Sequence, residues 1–121
     1  MTVVTEIADS AAGELPPVEE MGRHAADAAD LLKAMANPHR LQVLCVLGEG
    51  ELSVGALNNC IKLSQSALSQ HLAVLRADGL VHTRRQSQTI FYRIAPGPAL
   101  DLIRVLHGHY CSAPDAVKRN R

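Results

Sequence analysis

The chain has 121 residues, 47% of them hydrophobic and 2% aromatic, and its twelve basic and twelve acidic residues leave a formal net charge of zero. That is material for one small core, and too little for a second domain with a catalytic pocket, so an enzyme is not expected. The neutral total hides a split: residues 1–30 hold seven acids against one base, whereas residues 31–121 hold eleven bases against five acids, so the longer part has the basic balance of a polyanion binder.

In chain order, residues 1–18 read MTVVTEIADSAAGELPPV, small and acidic residues with a Pro16-Pro17 break and no amphipathic pattern. A disordered acidic tail is expected there. It has neither the basic start nor the apolar run of a secretion signal, and no stretch of the chain approaches the roughly 18 apolar residues of a membrane helix, so a cytoplasmic protein without a membrane partner is expected. Residues 19–112 are expected to form one domain, followed by a flexible tail over 113–121.

Glu19 to Ala36 reads as a helix with a small-residue stripe of Ala25, Ala28, Ala29, Leu32 and Met35, which suits close approach to another helix. Asn37 then caps a second helix with Pro38 at its first position. Leu41, Leu44, Cys45, Val46 and Leu47 mark its buried side before Gly48 and Gly50 end it. Glu51 to Ile61 reads as a third, short helix capped by Ser53, followed by a tight turn at Lys62 and Leu63.

Leu63 to Gly79, LSQSALSQHLAVLRADG, is the segment that points to function. Ser64 is an N-cap, and Leu68, Leu72 and Leu75 recur at i, i+4, i+7, so one face buries while Gln65, Ser66, Ser69 and Gln70 face outward. A merely solvated face is usually built of Glu and Lys. Uncharged hydrogen bonders instead suit base edges and phosphates, and the two short helices together predict a helix-turn-helix whose second helix, including Ser64 and His71, contacts double-stranded operator DNA. His71 has a second reading, as a capping or packing residue.

After Gly79, LVHTRRQSQTIFYRI predicts two strands around a polar turn near Gln86 to Gln88. Such a hairpin is a wing, with Arg84 and Arg85 placed to meet phosphates or the minor groove. A last helix follows Pro98, with Leu102, Ile103, Val105 and Leu106 as its apolar residues. The fold class is therefore mainly α with a small β-hairpin, a winged helix-turn-helix. The first and last helices are expected to make a homodimer whose recognition helices meet successive major grooves about 34 Å apart.

The runs LLKAMANPHRLQVLCVLGEGELSV, LSQSALSQHLAVLRADGLVHTRR and IFYRI resemble the ArsR-type winged-helix repressors over roughly residues 20–111, and within them the persulfide-responsive BigR, SqrR and HlyU group. The resemblance implies a homodimeric repressor that leaves DNA when an inducer binds. It also implies that a cysteine in the second helix and one at the end of the last form a reactive pair, positions that Cys45 and Cys111 occupy. Reactive sulfur species are then the inducer, and sulfide-detoxification genes the target. A buried core thiol is the plainer reading of Cys45 taken alone. Cys60, at the end of the third helix, is expected to be a partly buried structural thiol.

The arsenic and cadmium sensors of that family carry paired cysteines in the helix before the recognition helix. Here those positions are Ser53 and Gly55. Asp101, His107 and His109 stand in the last helix, but His107 and His109 are two residues apart and point to different faces. No metal ligand set and no cofactor are assigned, and His24 and His39 are expected to be surface residues. No base is paired with a cysteine in the sequence, against a thiol enzyme. A metal-responsive repressor and a constitutive DNA binder with structural cysteines remain the alternative readings.

Overall fold

The computed structural model describes residues 17–111. Apart from Pro17 and Val18, the tails expected over 1–18 and 113–121 lie outside the described residues. Within these described residues five helices and three strands follow in the order α1 (Val18–Met35), α2 (Pro38–Leu47), β1 (Leu52–Ser53), α3 (Val54–Cys60), α4 (Gln65–Ala77), β2 (Val81–Gln86), β3 (Thr89–Ile94) and α5 (Pro98–Tyr110). Among the described residues no helix is long and apolar enough to cross a membrane.

The chain divides into two compact units at Asp30/Leu31. The first contributes the start of α1, where Glu19 and Glu20 in the opening turn oppose the positive end of the helix dipole. Ala25, Ala28 and Ala29 are exposed along it, and so is Met21.

The second unit is built around α2. Asn37 caps this helix as expected, its side chain accepting from the backbone N–H groups of His39 and Arg40 at 2.9 and 3.1 Å, with Pro38 in the first turn. The helix packs against α3, α4, α5 and β3, and being covered on several sides it buries Val43 completely beside Leu44 and Leu47. Leu41, Cys45 and Val46 are only half-buried, so the single buried stripe expected for α2 is corrected. Leu57, Leu68, Leu72, Leu75 and Ile103 complete the centre of the core, each such side chain contributing about 1.5–3 kcal/mol by leaving water.

Gly48 lets α5 come close. A Cβ built there would stand 3.3 Å from Ile103 Cγ2 and 3.2 Å from the Cys45 carbonyl oxygen, tighter than ordinary van der Waals contact.

The hairpin runs in the register Val81↔Ile94 through Gln86↔Thr89, and Ser87 turns it with φ 57°. One strand was not anticipated. Leu52 and Ser53 pair antiparallel with Tyr92 and Phe91, giving the sheet order β1-β3-β2, so the stretch read as helix from Glu51 becomes helical only at Val54. Ser53 does both jobs: it sits in the ladder and its Oγ accepts from the Ala56 N–H at 3.2 Å. Gly79, with φ 75°, turns the chain from α4 into β2.

Candidate nucleic-acid interface and thiol pocket

The helix-turn-helix is α3, the turn and α4. Ser64 Oγ accepts from the Ala67 N–H at 3.1 Å and caps α4 as expected. Leu68, Leu72 and Leu75 are buried to within 1%, and this face anchors the helix so that Gln65, Ser66, Ser69 and Gln70 are all exposed. Asn58, a residue with no role in the sequence reading, fixes the turn by donating from Nδ2 to the Leu63 carbonyl at 2.9 Å. Only the folded turn brings those two groups together.

Gln65 and Ser69 share a polar groove with Gln88 and Thr89 at the wing tip, so the recognition helix and the wing flank one surface. The two wing arginines differ. Arg84 reaches across the sheet, its Nε donating to both Glu51 carboxylate oxygens at 2.8 and 2.9 Å and its guanidinium lying 4.6 Å from the Phe91 ring centre. Its outer nitrogens are engaged too, one with Glu51 and one with Gln86. Arg85 is exposed, its Nε donating to the Ser87 carbonyl at 3.2 Å. Glu51 therefore joins the site, and its role depends on a contact far along the chain.

His71 stands apart from the other outward residues of α4. It is half-buried, and its ring meets that of His39 from the start of α2 at 5.6 Å between centres. His39 is exposed as expected, but the fold gives it a partner that sequence spacing did not.

The second site lies where the end of α2 meets α5. Cys45 lines a pocket of about 210 Å³ together with Glu49, Ile103, Arg104 and His107, and His107 Nε2 stands 3.3 Å from a Glu49 carboxylate oxygen. Cys111 is exposed at the end of α5, its N–H donating to the His107 carbonyl at 2.8 Å. Burial pushes the Cys45 thiol above its ordinary value, and the nearby negative charges of Cys111 and Glu49 push it further. Two thiols distant in sequence are thus close enough for one charge to act on the other.

Cys60 is exposed, not partly buried as expected. The short helix α3 spends Leu57 on the core and the chain then turns Ile61 inward, leaving the position between them outside. His107 faces Glu49, whereas His109 packs edge-on against Tyr110 at 4.8 Å, so the two imidazoles diverge. Among the described residues, no three or more His, Cys, Asp or Glu side chains are grouped to hold a metal ion.

A family model for bacterial regulatory proteins of the arsR family matches residues 37–83, which span the capped start of α2 through the helix-turn-helix and into β2. The transcriptional activator HlyU of Vibrio cholerae is 54% identical over 96 residues, covering 79% of this chain and 89% of the relative. The biofilm growth-associated repressor of Agrobacterium fabrum is 44% identical over 100 residues, 83% of this chain and 85% of the relative. A solved structure of reduced HlyU from Vibrio cholerae superposes with a TM-score of 0.73, covering 78% of this chain and 99% of that one. The repressor BigR of Xylella fastidiosa, 42% identical, gives the same TM-score over 81% of this chain and 100% of the other. With the winged helix-turn-helix in place and similarity of this extent on both sides, the chain belongs to the arsR family of bacterial transcriptional regulators, DNA-binding proteins and not enzymes.

Proposed function

We propose that this regulator is a homodimeric repressor that releases its operator when reactive sulfur species bridge Cys45 and Cys111. The observation that supports the proposal is that Cys45 lines a pocket between α2 and α5 and lies within reach of the charge of Cys111, at the end of α5, which raises it. Similarity to repressors supports the direction of control. Gln65, Ser66, Ser69 and Gln70 read base edges, Ser64 caps their helix beside the backbone, and Arg85 supplies a phosphate contact from the wing.

The chemistry balances without an outside oxidant. A thiolate attacks the central sulfur of an organic trisulfide, expelling one thiolate, and the second cysteine attacks the same sulfur and expels the other. The product is a Cys–S–S–S–Cys bridge plus two small thiols, so the donor is reduced as the cysteines are oxidised. A bridge between α2 and α5 couples the pocket to the dimer, because α5 also carries the apolar groove that Leu102, Val105 and Leu106 form with Leu32 and Met35. Moving that groove changes the spacing of the two recognition helices, which is how one site affects the other.

The test is operator binding with and without a trisulfide donor. The bridge adds about 30 Da, one sulfur gained and two hydrogens lost, and DNA is released. Cys45→Ser and Cys111→Ser each bind operator but stay bound after the donor, while Cys60→Ser responds like the parent. Normal release by both single variants would sink the two-thiol switch.

A further inference from the structure

The imidazole pair on the side of α4 remote from the wing belongs to neither the base-reading face nor the thiol pocket. Gln65 and Ser69 face the wing tip, and His71, two residues beyond Ser69, is rotated about 200° around the helix axis from it. The buried leucines occupy a third direction. In a major groove a helix lies between two phosphate backbones, and with the wing along one of them His71 borders the other. There it meets His39, with the rings 5.6 Å apart and tilted by 37°.

We propose that His39 and His71 form a contact site for a DNA backbone phosphate, and that the pair takes up a proton when DNA binds. The inference rests on the DNA-binding reading of α4 and adds residues to it. In the protein alone His71 is held below its ordinary value: burial lowers it, and the positive charges of Arg40 and His39 lower it further. These are the charged groups that bear on it, and the Arg40 side chain is itself anchored by donating from Nε to the Ala34 carbonyl at 2.6 Å. An approaching phosphate reverses the balance, because a nearby anion favours the imidazolium form. The proton count therefore rises on binding, so affinity rises as pH falls through the histidine range.

Phosphate contacts carry no sequence information, so the probe is a random-sequence duplex of about 30 base pairs, a length chosen to exceed the two half-sites of a dimer. Binding is measured at constant ionic strength between about pH 6 and pH 8, the range around an ordinary imidazole value. The parent binds several-fold more tightly at the acid end, and its salt dependence is steeper there by about 0.9 in logarithmic slope for each added phosphate contact. His39→Gln and His71→Gln lose both the pH slope and the difference in salt slope. A parent with no pH slope overturns the proposal. So does a slope that survives in both variants and disappears in His82→Gln, since His82 is an exposed imidazole on the wing strand. Failure of the parent to bind the duplex at either pH overturns the DNA reading of α4 along with it.

Discussion

Arg84 grips Glu51 from across the sheet. Glu51 lies just before β1, which is not a neighbour of β2: Arg84 on β2 pairs with Phe91 on β3, and Phe91 pairs with Ser53 of β1. Glu51, two residues before Ser53, stands on the same face, so the guanidinium passes over the Phe91 ring to reach the carboxylate. One side chain thereby spans three strands and ties the wing to the base of the recognition unit.

That arrangement separates two arginines that the sequence had grouped as phosphate contacts. Glu51→Gln removes the carboxylate charge and turns Arg84 toward solvent and DNA, steepening the salt dependence of DNA binding by about 0.9, one added phosphate contact. Arg85→Ala flattens it by a similar amount. Equal, small effects of Arg84→Ala and Arg85→Ala on the salt slope would contradict this division of labour.

Gln70 is exposed on a helix fixed by three buried leucines. If it makes a bidentate contact, Gln70→Ala weakens the cognate operator by about 1–3 kcal/mol while leaving random duplex binding nearly unchanged. Competition binding against both duplexes reads the difference, and an equal loss on both would remove the base-reading role.

The helices and the wing were legible because their signals are local: an Asn37-Pro38 start, leucines at i, i+4, i+7 in α4, a polar turn between two β-rich runs. Single-residue burial was less so. Val43 is buried because α2 is covered on several sides, and Cys60 is outside because α3 ends beneath it; neither depends on the pattern of its own helix. The β1 ladder, the Asn58 bridge, the Glu51 clasp and the His39–His71 pair all join residues that sequence spacing does not relate. The pairing of Cys45 with Cys111 rests on family resemblance, and the pocket that Cys45 lines with Glu49 and His107 comes from the packing of α2 on α5.

Val105 is apolar and 66% exposed, and Leu32 is 54% exposed, beside one groove. In a homodimer these surfaces are covered by the partner. Val105→Lys places a charge there and shifts the protein to monomer in sedimentation, because burying an unpaired ammonium is costly. Dimer that persists at micromolar concentration would place the interface elsewhere.

Leu44 is fully buried at the centre of α2. Leu44→Ala destabilises the fold by about 2–5 kcal/mol in denaturant melts, the transfer loss plus the cavity left behind. Gly48→Ala acts differently, since its added methyl presses on Ile103 Cγ2 and perturbs the seat of α5 on the end of α2 by a few tenths of an ångström. A variant that melts near the parent yet bridges its thiols more slowly would isolate the packing of α5 on Cys45 as the controlling feature.

The raised Cys45 thiol makes a prediction about rate. An acid whose value is pushed up holds less thiolate at neutral pH, and thiolate is the nucleophile, so the reaction of Cys45 with iodoacetamide accelerates as pH rises beyond the ordinary thiol range. The causes can be removed one at a time. Cys111→Ser deletes one negative charge and Glu49→Gln another, and each lets Cys45 ionise at lower pH, shifting its alkylation profile toward acid. Burial remains in both variants, so neither profile reaches that of an unburied thiol. Peptide mass spectrometry of Cys45 alkylation against pH gives the three profiles directly. Superimposable curves would mean that neither charge reaches Cys45, and would remove the electrostatic evidence that Cys111 lies within its reach.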